Sequence, residues 1–222
     1  MTKTAEKGQS ATQARGRERR QQLIESARFL LESHAMDALS LADIAANAGI
    51  PTGSAYHFFP NVTAVYQALG ERFSDELDAE LSKPYRVSAE DGWLSIIDES
   101  IDRAHRFYKA SGAYRQLIIG ARVPADIKLS DRLNDEVIGQ ILINAINDHF
   151  YLPEIPRANE IFFHVVEIID LFFTLSVLRN DEITEHMSIE AGRASKAYLL
   201  TYFPSVLTPR DKPSSKQVPQ GV

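Results

Sequence analysis

The sequence predicts an all-α protein, a small three-helix head leading into a larger helical bundle. Apolar residues recur at spacings of three and four through most of the chain, the repeat of a helix with one buried face. No stretch sustains the strict alternation of a half-buried strand. Gly49, Pro51, Pro84, Gly112, Pro124, Pro153 and Pro156 fall between the periodic stretches, where the chain ends one helix and opens the next. With 222 residues there is ample chain to bury a large core.

The first helix is expected from about Gly16 to His34, with Leu23, Ile24, Ala27, Leu30 and Leu31 on one face. Ser40–Phe59, SLADIAANAGIPTGSAYHFF, then reads as two short helices about a glycine turn. Ser40 is a strong N-cap type, and Asp43 favours the positive end of a helix whose apolar stripe is Leu41, Ile44, Ala45 and Ala48. Gly49 stands where the chain needs a residue that tolerates positive φ. Ile50-Pro51 breaks the chain, and a second helix runs to about Phe59, with Ala55 and Phe59 turned inward. Thr52, Gly53, Tyr56 and His57 then face outward. This is a helix-turn-helix, the device that sets a short helix in the major groove of DNA.

The body follows in order. A helix from Asn61 to Leu81 carries Val65, Leu69, Phe73, Leu77 and Leu81 every four residues, and its rise gives a rod about 30 Å long. A second, Glu90 to Ala110, buries Trp93, Ile96, Ile97, Ile101, Ala104, Phe107 and Tyr108. A shorter one ends near Arg122, another covers Ser130 to Phe150, and Pro153 and Pro156 precede a final pair. The domains are therefore 15–62 and 63–207. Residues 1–14 and the Pro, Ser and Gln-rich 208–222 are expected to be disordered tails.

The formal net charge is −6, but it is unevenly placed. Residues 1–59 hold seven Lys/Arg against six Asp/Glu, and the rest of the chain carries the acidity. Arg15, Arg17, Arg19 and Arg20 cluster at the mouth of the first helix, an arm suited to phosphates or a narrow minor groove. The second helix of the motif has no Lys, Arg, Asp or Glu. If it reads bases, it does so through Thr52, Tyr56 and His57, with methyl contacts from Thr52, Ala55 or Phe58.

Other chemistries find little support. The chain has no cysteine, which excludes disulfides, Cys-based zinc sites and a thiol nucleophile. There is no phosphate loop, dinucleotide fingerprint or HExxH. Asp98, Asp102 and His105 share a helix face, as do Glu160, His164 and Glu167. The first trio lies on a solvated face and the second is a weak metal pattern. No enzyme activity, metal or cofactor is expected. Neither a signal-peptide pattern nor a membrane span is read, since the apolar run Ile161–Leu178 contains His164, Glu167 and Asp170; a cytoplasmic protein is expected.

That apolar run wraps most of a helix circumference, so it needs cover on more than one side. A second subunit supplies it if the last two helices of each chain form a two-fold, four-helix interface. The expected contact residues are Phe162, Val166, Ile169, Phe173 and Tyr198.

Residues 17–70 resemble the N-terminal domain of the TetR family of transcriptional regulators. The matching positions are Leu23-Ile24, Ala27, Leu30-Leu31, Ser40-Leu41, Ile44-Ala45, Ala48-Gly49, Ile50, Gly53, Tyr56, Phe59 and Pro60-Asn61. Ala35 stands where the family usually has glycine, and Val62 where it commonly has a phosphate-gripping lysine. The resemblance implies a homodimer on a palindromic DNA operator, more often a repressor, released by a small-molecule effector. It implies a DNA-facing set of Arg17, Ser40, Thr52, Gly53, Ser54, Tyr56 and His57, with Ser40 and Tyr56 on phosphates. It also implies an effector pocket in the body, for which Trp93, Phe107, Tyr108, Tyr114, Leu117 and Ile118 are the candidate lining. Val62 and the uncharged second helix motivate an alternative, a helix-turn-helix protein acting chiefly through protein–protein contacts.

Overall fold

The computed structural model describes residues 3–87, 91–119, 123 and 125–210. Within them the chain is helical: α1 (Lys3–Leu31), α2 (Leu41–Asn47), α3 (Thr52–Phe58), α4 (Val62–Leu81), α5 (Ser95–Lys109), α6 (Gly112–Tyr114), α7 (Ala125–His149), α8 (Ala158–Asn180) and α9 (Glu185–Leu199). A 3-10 turn, Met36–Ala38, joins α1 to α2, and α6 continues into a π-helical turn over Arg115–Ile119. Among the described residues the only β-type pairing is an isolated bridge between Phe150 and Pro209.

The head is α1 to α3. Leu23, Ile24, Ala27 and Leu31 of α1 meet Leu41, Ile44, Ala45, Ile50, Ala55 and Phe59 in a dry core. α2 starts at Ser40 because a capping box forms there. The Ser40 hydroxyl accepts the Asp43 N–H, and the Asp43 carboxylate accepts the Ser40 N–H at 2.9 Å. It ends because Gly49 takes φ +66°, a conformation that a Cβ disfavours. A polar clasp locks α2 to α1. Buried Ser26 donates to the Ile44 carbonyl at 2.8 Å and accepts from Asn47 Nδ2 at 2.9 Å.

α4 leaves the head through an Asn61 cap on the Ala64 N–H at 2.9 Å. Its stripe Val65, Leu69, Phe73, Leu77 and Leu81 is buried throughout, as the four-residue repeat requires. Arg103 on α5 closes the far end. It donates to the Lys83 and Pro84 carbonyls at 2.7 and 2.9 Å, with its guanidinium 4.0 Å from the Tyr85 ring centre. α7 and α8 run so close that a Cβ on Gly139 would sit 3.1 Å from the Phe163 nitrogen. Glycine is what permits that approach.

Several boundaries differ from the sequence reading. Helical geometry in α1 begins at Lys3 rather than Gly16, and α7 begins at Ala125 rather than Ser130. Thr208 to Arg210 are held, not loose: the Tyr151 N–H donates to the Thr208 carbonyl and the Arg210 N–H to that of His149. The expected α5 start at Glu90, the helix end at Arg122 and residues 211–222 lie outside the described residues.

α8 carries the main correction. Phe162, Val166 and Phe173 face their own subunit's core, at 0, 7 and 1 % exposure, so they are not available to a partner. Ile169 is half-buried against the same core, and Tyr198 is half-buried beside His164 Nδ1, 2.9 Å from its hydroxyl. A helix apolar all round has no phase in its sequence; contact with α7 and α9 sets it. Leu171 and Leu178 are left outward, at 54 and 53 % exposure. By length and apolarity alone α8 could span a membrane, yet it packs along both α7 and α9.

Candidate functional site

The outward face of α3 is built from what lies beneath it. Ala55 is fully buried and Phe59 nearly so, which pins the helix to α1 and α2 and fixes its rotation. Thr52, Gly53, Tyr56 and His57 consequently stand in solvent, with Tyr56 at 55 % exposure, and Ser54 is half-buried at the flank. Three hydrogen-bonding side chains, two of them rings, and a glycine share one short surface without formal charge.

Charge comes from α1. Arg15, Arg17, Arg19 and Arg20 are exposed, and the Arg20 guanidinium lies 4.9 Å from the Phe59 ring centre, holding a cation beside the end of α3. Arg20 is thereby better placed than Arg17 to be tied to α3, a distinction that spacing alone cannot make. Ser40 is exposed at the start of α2, where its hydroxyl donates to Asp43 at 2.6 Å and accepts the Asp43 N–H, so it also serves as the cap of that helix. Those bonds from Ser40 also hold the Asp43 carboxyl below its usual range. Val62, at the first position of α4, is half-buried and packs against the core.

In the body, a cavity opens between α4, α5, α7 and α8. Its walls are Phe73, Phe107, Tyr108 and Phe173, with Ile118, Ile138 and Leu142. Of the six residues expected there, Phe107, Tyr108 and Ile118 line it. Trp93 does not. It is fully buried and its indole N–H donates to the Pro204 carbonyl at 3.1 Å, a tie between the start of α5 and the chain after α9. Leu117 is fully buried outside the cavity wall, and Tyr114 stands one layer behind, stacked on Phe107 at 4.5 Å. The volume is about 60 Å³, well below the roughly 300–1,000 Å³ of pockets that hold drug-sized ligands.

The sequence reading missed the polar groups of this cavity. Asp135 and Asp170 both line it, from α7 and α8. Burial pushes the Asp170 carboxyl up to about 6, against the pull of Lys128 and with help from Glu167. A raised acid binds its proton more tightly in the folded state, so its ionisation lowers stability as pH rises from 3.8 to about 6. Asp170→Asn should therefore raise stability at neutral pH, by on the order of 2–3 kcal/mol, with the gain vanishing below about pH 4. Denaturant titration of both proteins across that range measures it; a pH-independent difference overturns this account.

Tyr114 joins the cavity to the head. Its ring meets Phe73 edge-on at 3.8 Å, and the Arg28 guanidinium of α1 lies 5.4 Å from its centre. Its hydroxyl donates to Glu76, which also pairs with Arg72 at 2.8 Å, and Arg72 in turn pairs with Glu25 on α1. Burial and the Glu76 bond push the Tyr114 hydroxyl up to about 12, so it remains a donor at neutral pH. Beside it, Glu32, just past the end of α1, accepts from Ser111, Gly112 and Ala113, and Gln116 donates to the Leu31 and His34 carbonyls. The joint is polar, and its partners alternate between head and body.

The two acid–histidine trios are otherwise engaged. Asp98 pairs with Lys196, Asp102 with Arg106, and His105 Nε2 bonds the Ile183 carbonyl. Glu160 pairs with Arg157, Glu167 with Arg132, and His164 with Tyr198. Among the described residues no three His, Cys, Asp or Glu side chains converge as a metal site.

A pinned helix-turn-helix on a helical body defines a class, and comparison with known proteins agrees. Residues 23–69 match the family described as bacterial regulatory proteins, tetR family. A TetR-family transcriptional regulator from Streptomyces coelicolor superposes with a TM-score of 0.64 at 20 % identity, covering 82 % of this chain and 98 % of that one. One from Rhodococcus sp. RHA1 gives 0.61 at 18 % identity, over 84 and 98 %. The TetR family repressor AlkX from Dietzia sp. strain DQ12-45-1b, implicated in biodegradation of n-alkanes, gives 0.54 at 18 %, over 82 and 94 %. No curated protein matches by sequence. Residues 23–69 carry the tetR-family N-terminal segment, and the chain as a whole has the fold of solved TetR-family regulators.

Proposed function

We propose that the protein is a homodimeric DNA-binding transcriptional regulator, acting as a repressor on a palindromic operator and released by a small-molecule effector. The observation that carries this reading is the α3 face: Thr52, Gly53, Tyr56 and His57 exposed over a helix that Ala55 and Phe59 hold rigid. Sequence is read by hydroxyl, imidazole and methyl contacts, and Arg17, Arg19 and Arg20 neutralise phosphates. Half-buried Val62 contributes packing where a lysine contributes charge, which lowers the number of phosphates engaged and the steepness of the salt dependence. DNA-affinity selection with the pure protein, followed by mapping of the bound site, tests the reading. Recovery of no duplex by a folded dimer favours the protein-interaction alternative that the uncharged α3 motivates.

The effector acts through the cavity. A ligand entering the closed space must part Phe107 and Phe73, and both press on Tyr114. Tyr114 contacts Arg28 directly and Glu25 through Glu76 and Arg72, so its displacement tilts α1 and the head with it. Effector binding then favours the head arrangement that no longer fits the operator. Tyr114→Leu keeps bulk but removes the ring and hydroxyl. We expect it to leave operator affinity within about threefold while cutting effector-driven release by about tenfold, a coupling change of the size typical for allosteric networks. Effector titration of the preformed protein–DNA complex by fluorescence anisotropy reads both quantities.

A further inference from the structure

We infer that α3 selects thymine: the operator half-site places T·A pairs under this helix, and they are read through the thymine 5-methyl group. This rests on the α3 face being the DNA-reading surface and specifies what that surface reads. Strong selection of guanine or adenine needs a side chain that makes two hydrogen bonds to one base, arginine or lysine on guanine, asparagine or glutamine on adenine. α3, TGSAYHF, carries none of these four residue types. The carboxamides on either side of it already serve the fold. Asn47 Nδ2 donates to Ser26 Oγ at 2.9 Å, and Asn61 Oδ1 accepts the Ala64 N–H at 2.9 Å as the cap of α4. Arg20 is likewise engaged, its guanidinium lying over the Phe59 ring at the end of α3.

The groups that α3 does offer suit a methyl. Tyr56 and His57 are exposed and supply single hydrogen bonds rather than a fork. Thr52, exposed at the first position of the helix, carries a methyl beside its hydroxyl. Phe58 is half-buried and held from two sides: its ring lies 3.9 Å from where a Cβ on Gly16 would sit, and 5.5 Å from the His57 ring in an edge-on contact. Between them Gly53 leaves the backbone open, since a Cβ there would meet no protein atom within 4 Å. A base edge can therefore come close to the helix. Ala55, whose methyl also suits thymine, is fully buried and takes no part. The thymine methyl is the apolar feature of the major-groove edge, and cytosine lacks it. Covering it with Thr52 and Phe58 is favourable and leaves no polar group to satisfy.

The test takes the operator recovered by selection with the full-length protein and remakes it with altered bases, reading affinity by fluorescence anisotropy. Deoxyuridine in place of each half-site thymine in turn removes the 5-methyl group alone. At the positions under α3 it should weaken binding about fourfold per methyl. 7-Deazaguanine in place of the half-site guanines removes the N7 acceptor and should change affinity by less than about twofold. Thr52→Ser keeps the hydroxyl and removes the methyl. It should weaken the thymine operator by about fourfold and lose nothing further on the duplex whose uracil replaces the thymine that Thr52 covers. A half-site without T·A pairs, uracil duplexes bound as tightly as thymine ones, or a larger loss from 7-deazaguanine overturns the thymine inference and leaves α3 as the reading surface. Recovery of no duplex by a folded dimer overturns both.

Discussion

Replacing both Tyr56 and His57 with alanine should weaken operator binding by about 1–3 kcal/mol for each specific contact removed from each head, enough to abolish a discrete complex in a gel-shift titration. The fold should not respond. Both side chains are exposed, and the packing that holds α3 in place belongs to Ala55 and Phe59. An unchanged melting temperature beside abolished binding is thus the expected pair of results. Arg17→Ala should behave differently. It removes a cation from the phosphate-facing arm, so it lowers affinity for all duplexes alike and reduces the salt slope by about one. If the double variant binds the operator as the wild type does, the face of α3 is not the reading surface, and the protein-interaction alternative gains.

The head was legible in the sequence because its signals are local. A capping box needs only Ser40 and Asp43, a positive φ needs only Gly49, and the inward pair Ala55 and Phe59 needs only one helical turn between them. The α4 stripe is similarly plain, since its polar side is polar enough to give the repeat a phase. α8 is the contrary case. With apolar residues on every side, its sequence states that the helix is covered but not by what, and the inward set Phe162, Val166 and Phe173 became visible only with α7 and α9 in place. The cavity failed for a related reason. Aromatic residues of the middle helices are shared between core and cavity, so Trp93 and Leu117 look no different from Phe107 and Tyr108. The usable signal was Asp170, a carboxylate within an otherwise apolar run. It marks α8 as a poor membrane span, and also as a helix with a polar task inside.

A charge placed on the outward face of α8 should break the proposed dimer. Leu171 and Leu178 lie two turns apart on that face, and both are more than half exposed in the subunit. Covered by a symmetry mate, the still-exposed half of each leucine contributes about 1 kcal/mol, and each counts twice in a two-fold interface. Leu171→Glu with Leu178→Glu removes that burial and adds carboxylates that must be desolvated for the helices to meet. Light scattering behind size exclusion should then report a monomer. Circular dichroism should be unchanged, because neither side chain belongs to the subunit's own core. Operator affinity should fall by about 10²–10⁴-fold, the drop in effective concentration when two linked heads become one. The inward residues give the contrast. Phe162→Ala empties a fully buried site and Phe173→Ala enlarges the cavity it walls, and each should lower the stability of the folded chain by about 3–5 kcal/mol, whatever the oligomeric state. A double glutamate variant that remains a dimer moves the interface off this face of α8 and leaves Leu171 and Leu178 unexplained.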